Sequence, residues 1–395
     1  MNNWKHGRHV LLCITGGIAA YKIPALVRLI KKADCEVEII LTNSACNFVT
    51  PMTLATLSGK KVWRDDDFDH TIPHIKLTQW ADVVVIAPCT ANTLGKIAGG
   101  IADNLLTSAV IAASCPVLIF PAMNENMYEN PATQKNLRVL SERGLQVIAP
   151  DEGDLACGVA GKGRMPEPEE IMNEILRALS PVKDMTGKKV LVTAGPTHEY
   201  IDPVRYISNP STGKMGVAMA RAAWYRGAEV KVIAGPVEVD SYGLEVVHVK
   251  SALEMLEAVK ANLSWADYIV KAAAVGDYRA KEFHANKIKR EGKDSITLEL
   301  IQNPDIAAEV GKLKRDGQVL IGFAAETDNL LANAQEKLTR KNLDYILAND
   351  VSAKDSGFGV DTNTLKLIHK SKPGKTFTGL KEDIAFEVWS DVIQN

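Results

Sequence analysis

Several things are missing from this chain, and each absence excludes a class. None of its six cysteines (13, 35, 46, 89, 115 and 157) forms a Cys-x-x-Cys pair or a metal-ligand cluster. That argues against a zinc module or disulfide framework and for a reducing, cytoplasmic setting. Neither charge dominates: Lys and Arg number 46 against 48 Asp and Glu, for a net charge of −2. No basic footprint for nucleic acid is expected. No apolar run approaches the roughly 18 residues that would suggest a membrane span, and the opening Met1-Asn2-Asn3-Trp4-Lys5-His6 lacks a signal-peptide core. What is present is ordinary globular composition, 46% apolar and 24% charged. A length of 395 residues suits about two to three domains with sizeable cores.

The first half alternates strand and helix. Arg8 to Ile14 is a predicted strand, followed by Thr15-Gly16-Gly17-Ile18-Ala19-Ala20-Tyr21-Lys22 opening a helix to about Lys32. Two glycines there let backbone approach an anion closely, although a tight turn has the same pattern. Val37 to Leu41 is a second strand, ended by the cap-like Thr42-Asn43-Ser44. Ala81 to Ile86 and Pro116 to Phe120 are wholly apolar runs suited to a buried parallel sheet. They end in Ala87-Pro88-Cys89-Thr90-Ala91-Asn92-Thr93 and Pro121-Ala122-Met123-Asn124-Glu125-Asn126-Met127. Four small or polar segments at four strand ends predict one shared crevice. His70 and His74 are both candidate bases beside it, and the residues alone do not choose between them. A further strand is predicted at Leu145 to Ile148. From Gly153 to Gly163, four glycines in eleven residues predict a flexible loop around Cys157, where Lys162 and Arg164 favour a thiolate on a closing flap.

A helix near Glu169 to Leu179 and the linker Ser180 to Gly187 put a boundary near residue 184, giving domains 1–184 and 185–395. The second half opens with the strand Val190 to Ala194, a long loop from Gly195 to Pro210, and Ser211-Thr212-Gly213-Lys214-Met215-Gly216 before an Ala-rich helix. This is neither GxGxxG nor a Walker A loop, because Met215 follows Lys214. It reads as an anion or nucleotide site, or as the plain turn of any doubly wound domain. Glu229 to Ile233, Asp267 to Ala274, Val319 to Phe323 and Asp344 to Leu347 are further predicted strands, with a helix over Ser251 to Leu263. Asn286-Lys287-Ile288-Lys289-Arg290 is a basic loop, either a solvated face or, opposite a phosphate-binding loop, a holder of a triphosphate. Pro304 suits the first turn of a helix, and Lys337 and Lys341 share one face of the helix Asn329 to Lys341. Thr364 to His369 and Thr376 to Val392 suggest an edge strand and a closing helix.

Taken together, these segments resemble the bacterial bifunctional coenzyme A biosynthesis family, in which phosphopantothenoylcysteine decarboxylase is fused to phosphopantothenate–cysteine ligase. The resemblance covers both halves in the family's order. Thr15 to Lys22, Pro73-His74-Ile75, Pro121 to Met127 and Ala156-Cys157-Gly158 are similar to the flavin-dependent cysteine decarboxylases. Ala194-Gly195-Pro196-Thr197, Asp202 to Asn209, Ala273-Ala274-Val275, Lys287-Ile288-Lys289 and Phe323-Ala324-Ala325-Glu326-Thr327 are similar to the ligase.

The resemblance implies an α/β protein of two doubly wound domains: a flavodoxin-like FMN-binding half and a Rossmann-like ligase half. It places Gly16, Gly17, Ser44, Thr90, Asn92 and Thr93 near FMN. It selects His74 as the active-site histidine, Asn124 as the holder of the substrate carboxylate and Cys157 as the proton donor. Flavin oxidation of the cysteinyl group of 4'-phosphopantothenoylcysteine makes loss of CO2 feasible, and 4'-phosphopantetheine leaves with no net redox change. In the ligase half, 4'-phosphopantothenate reacts with CTP to an acyl-cytidylate, which the amine of cysteine attacks. Asn209 and Arg205 would handle the acyl group and Lys287 the developing charge. Ala274, Asp277, Pro304, Asp305, Ile306, Ala307, Phe323, Lys337 and Lys341 would form the CTP site. Mg2+ would need few protein ligands, with Asp277 as the candidate, a ribose or base contact being the alternative for that residue. Homo-oligomers are implied, trimers of the decarboxylase half with the site at a subunit interface and dimers of the ligase half. Cys89, where the family has Ser or Ala, reads as a tolerated small residue.

Two other classes stay open. A nicotinamide-linked oxidoreductase would use the Lys188 to Gly216 unit, but GxGxxG and a ribose-binding acid about 20 residues on are missing. A non-catalytic flavin-binding regulator would be expected to lack Cys157 or Asn124, and the chain has both.

Overall fold

A computed structural model of the chain describes residues 4–67, 71–154, 160–289, 295–326, 330–350, 359–370 and 374–394. Cys157 and His70 therefore lie outside the described residues. The chain divides into two compact units, Asn2–Pro181 and Val182–Asn395.

The first unit is built on a six-stranded parallel sheet: β1 His9–Ile14, β2 Glu36–Leu41, β3 Val62–Trp63, β4 Val83–Cys89, β5 Val117–Pro121 and β6 Gln146–Val147. The order is β3-β2-β1-β4-β5-β6. Without the two-residue edge strand β3 this is the 2-1-3-4-5 order of flavodoxin-like sheets. Every residue of β4 and β5 is buried, which is why their sequences run apolar rather than alternating. The helix Ile23–Lys32 buries Ile23, Leu26, Val27 and Ile30, one stripe at helical spacing. The predicted glycine-rich loop is different in the structure. Its described flanks pair as an antiparallel hairpin, β7 Asp151–Asp154 with β8 Ala160–Arg164. Glycine weakens strand propensity, so the pattern hid an arrangement that backbone bonds from neighbouring segments impose. Thr42 precedes a short 3-10 turn, Asn43–Asn47, without making the side-chain cap expected of it.

The second unit is built on an eight-stranded sheet. Its strands are β9 Lys189–Ala194, β12 Glu229–Ala234, β13 Glu245–His248, β14 Tyr268–Lys271, β17 Val319–Glu326, β18 Tyr345–Asp350, β19 Thr362–His369 and β20 Lys375–Leu380. Two small antiparallel pairs lie outside it: β10 Glu199–Tyr200 with β11 Tyr206–Ile207, and β15 Tyr278–Ala280 with β16 Leu300–Gln302. The order β13-β12-β9-β14-β17-β18 is the Rossmann arrangement, extended by antiparallel β19 and β20. The tail thus holds two strands before its helix, Lys381–Ile393. The segment 376–380, expected as the start of that helix, is the edge strand, because its register with Thr362 to Lys366 supplies a ladder. Gly216 brings the helix Lys214–Tyr225 onto β9: a Cβ there would lie 2.8 Å from the Ala194 Cβ and 3.0 Å from the Thr193 carbonyl oxygen.

Candidate functional sites at two topological switch points

In a doubly wound sheet the crevice opens where the strand order reverses, beyond the carboxyl ends of the two central strands. Here that means between β1 and β4 in one unit and between β9 and β14 in the other. Each unit has a cavity there.

The first cavity, about 540 Å³, is lined by Gly16 and Gly17 after β1, Thr90 after β4, Met123 and Asn124 after β5, and Gly163, Arg164 and Met165 of the hairpin. Gly16 is required by close approach, since a Cβ on it would lie 2.5 Å from the Ser44 Cβ. Ser44 thus backs the glycine turn without lining the cavity. Thr90 caps the helix Ala91–Ala98, its hydroxyl accepting from the Thr93 N–H, and its own N–H donates to Thr15 Oγ1 at 3.1 Å. Thr93 is buried beneath that cap and Asn92 is exposed; neither lines the cavity. Asn124 caps Glu125–Glu129, its Oδ1 accepting from the Asn126 N–H at 3.0 Å. His74 is half-buried at the second position of the helix Pro73–Trp80, outside the cavity lining.

The hairpin is pinned against the segment that ends β5. The Met123 N–H donates to the Gly163 carbonyl at 3.0 Å and the Lys162 N–H donates to Glu125 at 3.1 Å. Gly163, at φ 135°, could not carry a side chain: a Cβ would lie 2.1 Å from the Met123 carbonyl oxygen. Buried Lys22 ties the other end down, donating to the Met165 carbonyl and to Glu167, both at 2.9 Å. Sequence reading missed Lys22 and Gly163 as wall residues, since their partners are about 140 and 40 positions away. Cys89 is fully buried with its thiol pushed up to about 12 by burial, which leaves it an inert core residue.

The second cavity, about 500 Å³, gathers Asn209 to Gly216, Lys271 to Asp277, Gln302 to Ala307 and Gly322 to Ala324, with Lys337 and Lys341. Ala274, Asp277, Pro304, Asp305, Ile306, Ala307 and Phe323 therefore meet in one place. Asn209 Nδ2 donates to the carbonyls of Ala274 and Val275 at 3.3 and 3.1 Å, linking the long loop to the end of β14. Asp305, not Pro304, begins the helix Ile306–Leu313: its carboxylate accepts from the Ala308 N–H at 3.0 Å. Proline was expected in the first turn, but here it precedes the cap, where an aspartate can satisfy a helix N–H and proline cannot. Burial would raise the Asp305 carboxyl, but Lys341 at 2.9 Å and the Ala308 N–H outweigh it and hold the group below the usual carboxylate range.

Arg205 and Lys287 are not among the residues lining this cavity. A residue that the sequence reading assigned no role, Asp202, ties Arg205 to the backbone of Ile288, next to Lys287. It is fully buried and accepts from the N–H groups of Val204, Arg205 and Ile288 at 2.8, 2.7 and 3.1 Å and from the Arg205 guanidinium at 2.6 Å. Burial opposes ionisation, yet these donors pull the carboxyl down to about 2. Asp-Pro is a turn signal and hid the role. Lys271 is the other omission. A lysine inside the apolar run Tyr268-Ile269-Val270-Lys271-Ala272 was the available signal, because lysine is rarely buried unpaired. Among the described residues, no group of three or more His, Cys, Asp or Glu is arranged to hold a metal.

Residues 2–180 match the family model described as Flavoprotein, and residues 185–395 match that of the DNA/pantothenate metabolism flavoprotein C-terminal domain. The Coenzyme A biosynthesis bifunctional protein CoaBC of Bacillus subtilis is 45% identical over 395 residues, covering 98% of this chain and 97% of that protein. The protein of the same description from Haemophilus influenzae is 44% identical over 393 residues, covering 98% of each. A crystal structure of the C-terminal domain of CoaBC is 36% identical, with a TM-score of 0.46 over 54% of this chain and 97% of that one.

Proposed function

This chain belongs to the family of bifunctional coenzyme A biosynthesis proteins, and from that premise we propose how its two cavities divide the work. The protein is an enzyme with two activities, a flavoprotein decarboxylase and a phosphopantothenate–cysteine ligase. We take residues 1–184 as the decarboxylase and 185–395 as the ligase. The observation that carries this reading is that each unit has its own cavity at its own switch point, lined by a different part of the motif set.

In the first cavity the residues fit FMN. Gly16 and Gly17 present bare backbone beside Thr90, and Met123 and Met127 supply apolar walls. When bound, FMN would supply reversible two-electron oxidation of the cysteinyl carbon. The chain's own residues do the rest. Asn124 orients the substrate carboxylate, and β8 of the hairpin excludes water. Cys157, between the two hairpin strands in sequence, returns a proton to carbon. His74 takes the proton lost on oxidation. Since His74 is outside the cavity lining of its own chain, we assign it to the cavity of a neighbouring copy, in agreement with a trimer of this half.

In the second cavity the substrates are 4'-phosphopantothenate, CTP and cysteine. Lys337 and Lys341 bring positive charge to the triphosphate, Phe323 and the 304–307 turn bound the nucleotide, and Asn209 fixes the loop against the strand end. Arg205, tied through Asp202 to the Ile288 N–H beside Lys287, closes with that lysine over the carboxylate as it displaces pyrophosphate. The cysteine amine then displaces CMP and forms the amide. Mg2+ fits as a phosphate-borne ion touching at most Asp277 (of the two lining carboxylates, Asp305 is paired with Lys341, and no group of three or more metal-ligating side chains exists among the described residues). Cytoplasmic location and pairing of ligase halves complete the reading.

A single assay tests it. Purified protein should show a flavin spectrum and, with 4'-phosphopantothenate, CTP, Mg2+ and cysteine, form CMP, CO2 and 4'-phosphopantetheine by mass. Accumulation of 4'-phosphopantothenoylcysteine would remove the roles of His74, Asn124 and Cys157. No product from a colourless protein would remove the reading altogether.

A further inference from the structure

One lysine of the second cavity has no role in this account. Lys271 ends β14, opposite Thr193 of β9 and Gly322 of β17, at the switch point itself. It is only 7% exposed, lines the cavity, and its Nζ has no hydrogen-bond partner among the described residues. Lysines around it are spent differently. Lys341 pairs with Asp305 at 2.9 Å, and Lys214 pairs with Asp361 at 2.7 Å and donates to the Gly359 carbonyl. A buried amine without an acceptor is costly in any protein. A ligand that supplies the acceptor removes that cost.

We propose that Lys271 is a further binding residue of the ligase site, its Nζ donating to a phosphate oxygen of the substrate that fills the cavity. The proposal rests on the ligase reading above and names a donor that reading does not use. The charged groups that line the cavity around it are Asp305 and Lys341 at the two helix ends, Lys337, Lys214, Lys381 and Asp277. Cations outnumber carboxylates, which suits a polyanionic ligand. Burial holds the ammonium down at about 7, opposed by Asp305, so a phosphate arriving beside it restores the full charge and binding takes up a proton near neutral pH.

The test is calorimetric binding to the full chain at pH 7.5, in buffers of different ionisation enthalpy. CTP with Mg2+ and 4'-phosphopantothenate are titrated separately. The Lys271→Met variant keeps the volume and apolar stem and removes the amine. We expect it to fold with unchanged or higher thermal stability, to bind one ligand roughly ten- to a hundredfold more weakly, and to lose the proton uptake. Loss confined to CTP assigns the phosphate to the nucleotide, and loss confined to 4'-phosphopantothenate assigns it to the acid substrate. Wild-type affinity and proton uptake for both ligands in the variant would overturn the role of Lys271 alone. If the wild type binds neither ligand, the ligase reading falls with it. A Lys271→Met chain that does not fold would leave Lys271→Gln to give the same readouts.

Discussion

Asp202 and Arg205 face each other across a single turn, the buried carboxylate accepting from the guanidinium at 2.6 Å. The same carboxylate accepts the N–H of Ile288, 86 positions further on. One side chain therefore holds together the two segments that carry Arg205 and Lys287, the cations proposed for the ligase chemistry.

Removing that charge should separate the loops. Asp202→Asn is expected to lower ligase kcat/KM while flavin absorbance and decarboxylation of supplied 4'-phosphopantothenoylcysteine stay unchanged. Its pH behaviour has a definite sign. The folded carboxyl sits at about 2, below the ordinary value near 4. Its contribution is fully present above the ordinary value and disappears as pH falls through the folded one. Acid unfolding monitored between about pH 4 and pH 2 should show this loss in the wild type and not in Asp202→Asn. Superimposable acid profiles would refute it.

Gly16→Ala places a methyl group 2.5 Å from the Ser44 Cβ and 2.9 Å from its carbonyl carbon. Overpacking of this kind costs about 1–3 kcal/mol, and here the turn beside the proposed flavin must move. The variant should purify with little or no bound flavin and retain ligation. A full flavin complement by absorbance would count against the placement of FMN at this turn.

Gly163→Ala combines a left-handed φ of 135° with a clash against the Met123 carbonyl oxygen. It should unseat β8 from the Met123 N–H. Flavin content should remain, since the glycine turn is untouched, while decarboxylation falls steeply. Hydrogen exchange at the Met123 amide would report the lost bond, and an unchanged exchange rate would contradict the prediction.

Asn209→Asp replaces an amide donor with a carboxylate facing the carbonyls of Ala274 and Val275. Repulsion should free the loop and lower ligase kcat/KM by about tenfold or more. Pyrophosphate release coupled to ligation measures it, and a rate equal to wild type would dismiss the contact.

Much of this arrangement was legible beforehand because the signals were local. The apolar runs at 83–86 and 117–120 announce buried parallel strands, and the polar segments that end β1, β4 and β5 supply the first cavity's lining. The fourth such segment, Thr42 to Ser44, supports the glycine turn from behind instead. What escaped was non-local. The glycines from 153 to 163 look like a loop until the bonds to Met123 and Glu125 are known. Residues 376–380 become a strand only beside β19. Asp202 looks like a turn residue until Ile288 arrives, and Lys271 looks like a strand-end surface charge until β9 and β17 enclose it.

The reversal of strand order between β1 and β4, and again between β9 and β14, belongs to the wiring of the sheets and to no individual side chain. Point substitution can therefore alter what each crevice accepts while leaving where it opens untouched. For such a chain, new chemistry is a matter of rewriting loops on a fixed address, and the two addresses can be rewritten one at a time.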